Sequence, residues 1–317
     1  MKKAVIVFCS MLVFLMVGCS SNTDETTNQG KTKEAGENAI SITDFSNRTI
    51  TFDHIPEKIV SLGNGETDII YALGEEVVGR PTGDAVIKES ENALEVGSSH
   101  SADLEKITSL DPDVVLGNHP MNSNDVQSIE SIGSEMILTS ANSVDDIKKQ
   151  ITLFSDLLNK REKADEVIHM IDEKIAQIQS EQTEKKPRVL LVYGAPGTNM
   201  AALPNSLSGD ILELAGGENI ASDYPSLEMY PQYAQLNTER MIESNPQMIL
   251  LMSHGNPEEV KEGFINDMSK NAGWNELDAV KNDQFIILPH DLFGTNPGTK
   301  IVDALDYLHE LLQDVKE

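Results

Sequence analysis

Apolar and polar positions divide the chain into successive stretches with different periods. Ala4 to Val17 is an apolar run interrupted only by Cys9 and Ser10, and residues 20–38 (SSNTDETTNQGKTKEAGEN) contain no large apolar side chain. Residues 39–53 (AISITDFSNRTITFD) alternate and turn at Ser46-Asn47, which predicts a β-hairpin. Short apolar runs then predict strands at Lys58–Leu62, Val77–Gly79, Asp113–Leu116 and Glu135–Leu138. Between them, apolar residues three or four apart predict helices near Thr67–Leu73, Asp103–Leu110 and Asp125–Ile132. Strands alternating with helices imply an α/β lobe with a largely parallel sheet.

A longer helical period follows. Ile147, Ile151, Phe154, Leu158, Val167, Ile171, Ile175 and Ile178 fall mostly three or four apart, with no Gly or Pro between them. One helix over about Val144–Ser180 is expected, started by Ser143 with Asp146 three residues on and ended before Pro187. The α/β pattern then restarts. Strands are predicted at Arg188–Tyr193, Gln247–Met252 and Gln284–Leu288, and helices at Ser208–Ala215, Asn237–Glu243, Pro257–Met268 and Gly298–Val315. The fold expected is two α/β lobes with largely parallel sheets, joined by one long backbone helix, with a ligand cleft between the lobes. The boundaries are a signal peptide at 1–18, a lipidated Cys and flexible tether at 19–38, an N-terminal lobe at 39–142, the linking helix at 143–185 and a C-terminal lobe at 186–317. An internal echo supports two related lobes. Leu104-Glu-Lys-Ile107 before Asp111-Pro-Asp-Val-Val-Leu116 recurs as Thr238-Glu-Arg-Met241 before Asn245-Pro-Gln-Met-Ile-Leu250.

Composition narrows the function. The 317 residues carry 24 Lys+Arg against 52 Asp+Glu, a formal charge of -28. Nucleic-acid binding, which needs cations to displace phosphate counterions, is disfavoured. Both cysteines, Cys9 and Cys19, lie near the start, so a disulfide framework, a cysteine zinc site and a thiol nucleophile are excluded from the body. Lys2 and Lys3 before the apolar run read as a secretory signal, too short for a comfortable membrane span. A small residue before Cys, as in Gly18-Cys19-Ser20, resembles the lipobox of bacterial lipoproteins, which implies lipidation of Cys19. The expected location is the extracytoplasmic face of a cell membrane, held by the lipid anchor alone, in a Gram-positive bacterium.

Further residues carry a wider resemblance. Pro56-Glu-Lys-Ile-Val60, Ala72-Leu-Gly74, Val96-Gly97, Asp103-Leu-Glu-Lys-Ile107 and Asp111-Pro-Asp-Val-Val115 resemble the helical-backbone (class III) substrate-binding lipoproteins of ABC importers. Gly194-Ala-Pro-Gly197, Leu214-Ala-Gly-Gly-Glu-Asn219 and Ser253-His-Gly-Asn-Pro-Glu-Glu-Val-Lys261 are similar to the haem-binding IsdE/HupD type. In that type the His of the last motif is an axial iron ligand, which maps to His254. The second ligand there is a Met from the loop after the Val-Gly pair, and this sequence has His100 instead. The resemblance therefore implies bis-histidine ligation of haem as the transported ligand. It also implies delivery to an ABC permease and its ATPase, surface haem-donor proteins upstream, and a monomer. Glu105 and Glu239, one per lobe, are the implied permease-docking residues; the alternative is that both are plain surface charges.

Among the seven His, His54, His169 and His309 read as surface or helix-face residues. His254 follows a strand, and ligands of α/β sheets bind beyond the carboxyl ends of strands. His119 is the rival of His100, and His290 also follows a strand. Pro81, Thr82, Tyr193, Met200, Met252 and Phe293 are candidate cleft walls, each explained equally well as core or loop packing. Gly63-Asn64-Gly65 could aim backbone N–H groups at a propionate, or be an ordinary strand-to-helix turn. A ferric siderophore or a corrinoid is the alternative cargo, although five Arg are few for an anionic chelate. An extracytoplasmic metalloenzyme built on His254 with Glu258 or Glu259 is disfavoured, because no HExxH and no third ligand stand at a suitable spacing.

Overall fold

The computed structural model describes residues 39–315 apart from residues 86, 196 and 255. The expectations for the signal, Cys19 and the tether lie outside the described residues. The hairpin forms as its alternation predicts, Ile40–Thr43 running antiparallel to Thr49–Phe52. Its turn closes on Asp44. That carboxylate accepts from the backbone and hydroxyl of Ser46, the backbone and guanidinium of Arg48, and Leu138 N–H of the neighbouring sheet.

The first lobe holds a five-stranded, all-parallel sheet. Its order is Leu94–Glu95, Gly79–Arg80, Ile59–Ser61, Val114–Asn118, Glu135–Thr139. Side chains alternate across a strand, and parallel strands must be covered on both faces. Ile59, Val114, Leu116 and Ile137 accordingly join the large central core. Val60, Val115, Met136 and Leu138 fill the opposite face. The second sheet repeats the scheme: Leu191 and Leu250 face the central core, while Leu190, Ile249 and Leu251 face an outer one. This sheet is mixed. Arg188–Ala195 runs parallel to Met248–Ser253, which runs parallel to Phe285–Ile287. Thr198–Ala202 returns antiparallel and carries Tyr233–Gln235 at the edge. These two antiparallel strands were not predicted, since neither has an apolar run long enough to stand out.

The single long helix is corrected to two, Val144–Leu158 and Arg161–Glu181. Asn159 adopts a left-handed conformation (φ 54°) and ends the first, and Lys160 N–H bonds Ser155 C=O at 2.9 Å. Asn is a side chain that tolerates this geometry, so the break needs neither Gly nor Pro. Lys148 meets Asp172 at 3.0 Å, with the corner midway between them in sequence. The two helices therefore run back alongside each other. The 21-residue second helix leads into the C-terminal lobe. Ser143 caps the first helix through Asp146 N–H, as expected.

The internal echo is structural as well. Asp103 caps Leu104–Leu110 and Asn237 caps Thr238–Ser244, each side chain accepting the N–H three residues on. Both helices end on a left-handed residue, Asp111 (φ 49°) and Asn245 (φ 43°), before a proline and a central strand. Several contacts tie the N-terminal lobe and the first linking helix to the C-terminal lobe. Val144 N–H donates to Asp210 at 2.7 Å, Gln232 to Asn142 at 3.2 Å, and Asn296 to Gln150 at 2.9 Å. A Cβ on Gly65 would come within 2.4 Å of Asn296, so this helix can approach the C-terminal segment only with glycine there.

Candidate functional site

His254 directly follows the buried strand Met248–Ser253. Its backbone N–H donates to Gly194 C=O at 2.8 Å, which extends the parallel ladder by one rung and fixes the start of the loop. The ring is solvent-exposed. Tyr193, from the adjacent strand, lies nearly parallel to it, with ring centres 6.4 Å apart and 25° between planes. Tyr233 packs on Tyr193 at 5.3 Å. Burial, with the neighbouring phenol of Tyr193, pushes the Tyr233 hydroxyl up to about 12. Burial also raises Tyr193, with Tyr230 adding to it. Both phenols are thus held neutral. Tyr233 is a site residue that sequence reading missed, because it sits in a three-residue edge strand without a recognisable pattern.

His100 arrives from the other lobe. It sits at the tip of a miniature hairpin, Gly97–Ser98 paired with Ser101–Ala102. Gly97 has φ 94°, and a Cβ there would lie 2.2 Å from Ser101 O, so the hairpin closes only on glycine. The two imidazole rings face each other across the lobes with centroids 6.0 Å apart and planes at 57°. The residues singled out from sequence as iron ligands are therefore the ones the fold brings together.

The other candidates separate. His119 is half-buried at the end of Val114–Asn118, with Nδ1 3.1 Å from Ser123 Oγ. His290 is exposed, and its ring lies over Gly294, where a Cβ would come 2.2 Å from Nδ1. Thr82 exchanges hydrogen bonds with Gly97 (2.7 and 3.2 Å) and so braces the His100 hairpin, while Pro81 C=O accepts from Arg80. Met200 is half-buried opposite Tyr193 in the ladder. Met252 and Phe293 belong to the central core, as the packing alternative held. At Asn64 the turn opens a helix, and the Glu66 carboxylate folds back over Gly63 and its own N–H. The Glu66 carboxyl already takes up the N-terminal end of that helix, which favours the plain turn over the propionate reading. Glu105 and Glu239 are exposed in the first turns of the paired short helices.

His54 and His169 lie at the surface beside Asp113 and Glu173. His309 does not: it is buried, with Nδ1 3.1 Å from Ala215 O and Nε2 beside Glu181 and Gln313. Its position on the inner face of the last helix explains the error, since the apolar neighbours Leu305, Leu308 and Leu312 share that face. Among the described residues no three His, Cys, Asp or Glu side chains converge as metal ligands. Two facing imidazoles suit a metal whose remaining positions are already filled, as in a macrocycle.

Two α/β lobes that bring His254, after a central strand, opposite His100, on a hairpin tip, have the architecture of a two-lobed binding protein. Residues 59–292 match the family profile described as Periplasmic binding protein, and the chain belongs to that family. The High-affinity heme uptake system protein IsdE of Staphylococcus aureus (strain Newman) is 28% identical over 245 residues, 76% of this chain and 82% of that protein. The structure of S. aureus IsdE complexed with heme superposes with a TM-score of 0.70 at 27% identity, covering 80% of this chain and 98% of that one. An ABC transporter substrate-binding protein from Listeria monocytogenes EGD-e gives 0.71 at 30% identity, with coverage of 81% and 99%. S. aureus SirA complexed with staphyloferrin B gives 0.71 at 21% identity over 86% and 98%, a likeness that shows the fold alone. The chain is a substrate-binding protein of an ABC importer, and its family and relatives are solute-binding proteins, not enzymes.

Proposed function

We propose that the cargo is haem, held with His100 and His254 as axial ligands and handed to the importer's permease for iron acquisition. The observation that carries this is the 6.0 Å separation of the two rings, one from each lobe. Two imidazoles sharing one metal, each with a metal–nitrogen bond of ~2 Å, have ring centres roughly 6 Å apart. The tyrosines beside His254 brace its ring and make that side of the site largely apolar. The likeness to a protein solved with heme supports the same reading.

Ligation from both lobes means that separating them breaks an iron–nitrogen bond. Docking of the permease against Glu105 and Glu239 would do this and release the cargo. Cys19, lipidated, would hold the body on the extracytoplasmic face of the membrane, as a monomer fed by surface haem donors. Permease and ATPase complete the importer. The test is an absorption titration of the soluble body with haemin, beside His100→Ala and His254→Ala. A one-to-one Soret transition with low-spin bands, altered by each substitution, supports the reading. No haemin binding by the wild-type protein would overturn it and leave a ferric siderophore or corrinoid as cargo.

A further inference from the structure

Asn122 is a polar side chain with 0% exposure in the loop after Val114–Asn118. Burying an amide costs free energy unless each of its groups is paired. Here they are. Oδ1 accepts from Asn118 N–H at 2.9 Å, and Nδ2 donates to Ser99 C=O at 3.1 Å and to the Asp125 carboxylate at 2.8 Å. One orientation of the amide serves all three, since two partners are acceptors and one is a donor.

Ser99 is the residue before His100, at the tip of the Gly97–Ala102 hairpin. Thr82 holds the base of that hairpin through Gly97. Asn122 holds its tip, from the loop that follows the interior strand Val114–Asn118. A two-residue-per-strand hairpin is too short to be rigid alone, so the place of His100 depends on what grips it from outside. We propose that Asn122 is a positioning residue that sets the His100 ring opposite His254. The proposal rests on the haem reading for its ligand, and on these hydrogen bonds for everything else.

Asn122→Asp is the informative variant. It keeps an oxygen for Asn118 N–H but turns its second oxygen toward Ser99 C=O and Asp125. Ser134→Ala is the stability-matched control: it removes one buried hydrogen bond, to Pro112 C=O at 2.6 Å, at the far end of the same sheet. With haemin, Asn122→Asp is expected to bind one equivalent, to lose the low-spin bands as His100→Ala does, and to release haemin about tenfold faster. Adding His100→Ala to it should change nothing further. Ser134→Ala should keep the wild-type spectrum at a similar loss in Tm. A wild-type spectrum in Asn122→Asp, or the same spectral loss in Ser134→Ala, overturns the proposal. If the wild-type protein binds no haemin, the haem reading fails by itself. Amide hydrogen exchange of residues 97–102 then decides the positioning role: faster exchange in Asn122→Asp supports it, and unchanged exchange overturns it.

Discussion

The carboxylate of Asp68, on the first helix of the N-terminal lobe, accepts both the backbone N–H and the hydroxyl of Thr299, at 2.5 and 2.6 Å. Thr299 opens the helical segment that ends the chain. Asp68 therefore acts as an N-cap supplied from the other lobe, at a point where unpaired N–H groups and the helix dipole favour an anion. Burial raises the Asp68 carboxyl, and the bonds from Thr299 and the nearby Lys300 offset this only in part. Replacing Asp68 by Ala should cost about 1–3 kcal/mol in denaturant unfolding. A change within ~0.5 kcal/mol would show that the cap is dispensable.

Glu66, two residues earlier, gives a pH signature. Burial raises its carboxyl above the ordinary glutamate range, against the bonds from its own N–H and from Thr139. A raised acid holds its proton in the folded state after the unfolded chain has lost it. Its contribution is thus favourable at low pH and is lost as pH rises from the ordinary value through the raised one. Glu66→Gln should gain stability relative to wild type as pH increases over that window. Parallel stability–pH curves for the two proteins would contradict this.

Asp44 behaves oppositely. Burial works to raise its carboxyl, but hydrogen bonds from Ser46, Arg48 and Leu138 outweigh it and leave the group lowered. The stabilisation is present above the ordinary aspartate value and is lost as pH falls through the lowered one. Asp44→Asn should destabilise the protein by about 1–3 kcal/mol in denaturant unfolding at neutral pH, since it removes the charge facing Arg48 and weakens one of the bonds to the neighbouring sheet, while Arg48 keeps Met136 C=O.

Haem binding should weaken as pH is lowered, because iron and proton compete for the same imidazole nitrogen. Haemin affinity measured at successively lower pH should fall at the acid end. A flat profile would exclude histidine ligation.

Much of this was legible in the sequence where the physics is local. Alternation wrote the hairpin, short apolar runs wrote the central strands, and Asp111-Pro112 and Asn245-Pro246 wrote the helix stops. The pairing of His100 with His254 was legible only through resemblance, since residues so far apart meet through topology, not spacing. The break at Asn159 escaped because neither Gly nor Pro marks it, although the apolar period lapses between Leu158 and Val167, where the chain turns its corner. Tyr233 and Asn122 escaped because their roles depend on contacts from other elements, Tyr193 and Ser99.

The central claim is that one iron is bound by one imidazole from each lobe. Electron paramagnetic resonance of the ferric haemin complex reads this directly, beside His100→Ala and His254→Ala. The account predicts a low-spin bis-imidazole signal in the wild-type protein, converted to a high-spin signal by either substitution. A signal unchanged by His100→Ala would place the second ligand elsewhere, and a high-spin wild-type signal would contradict the pairing outright.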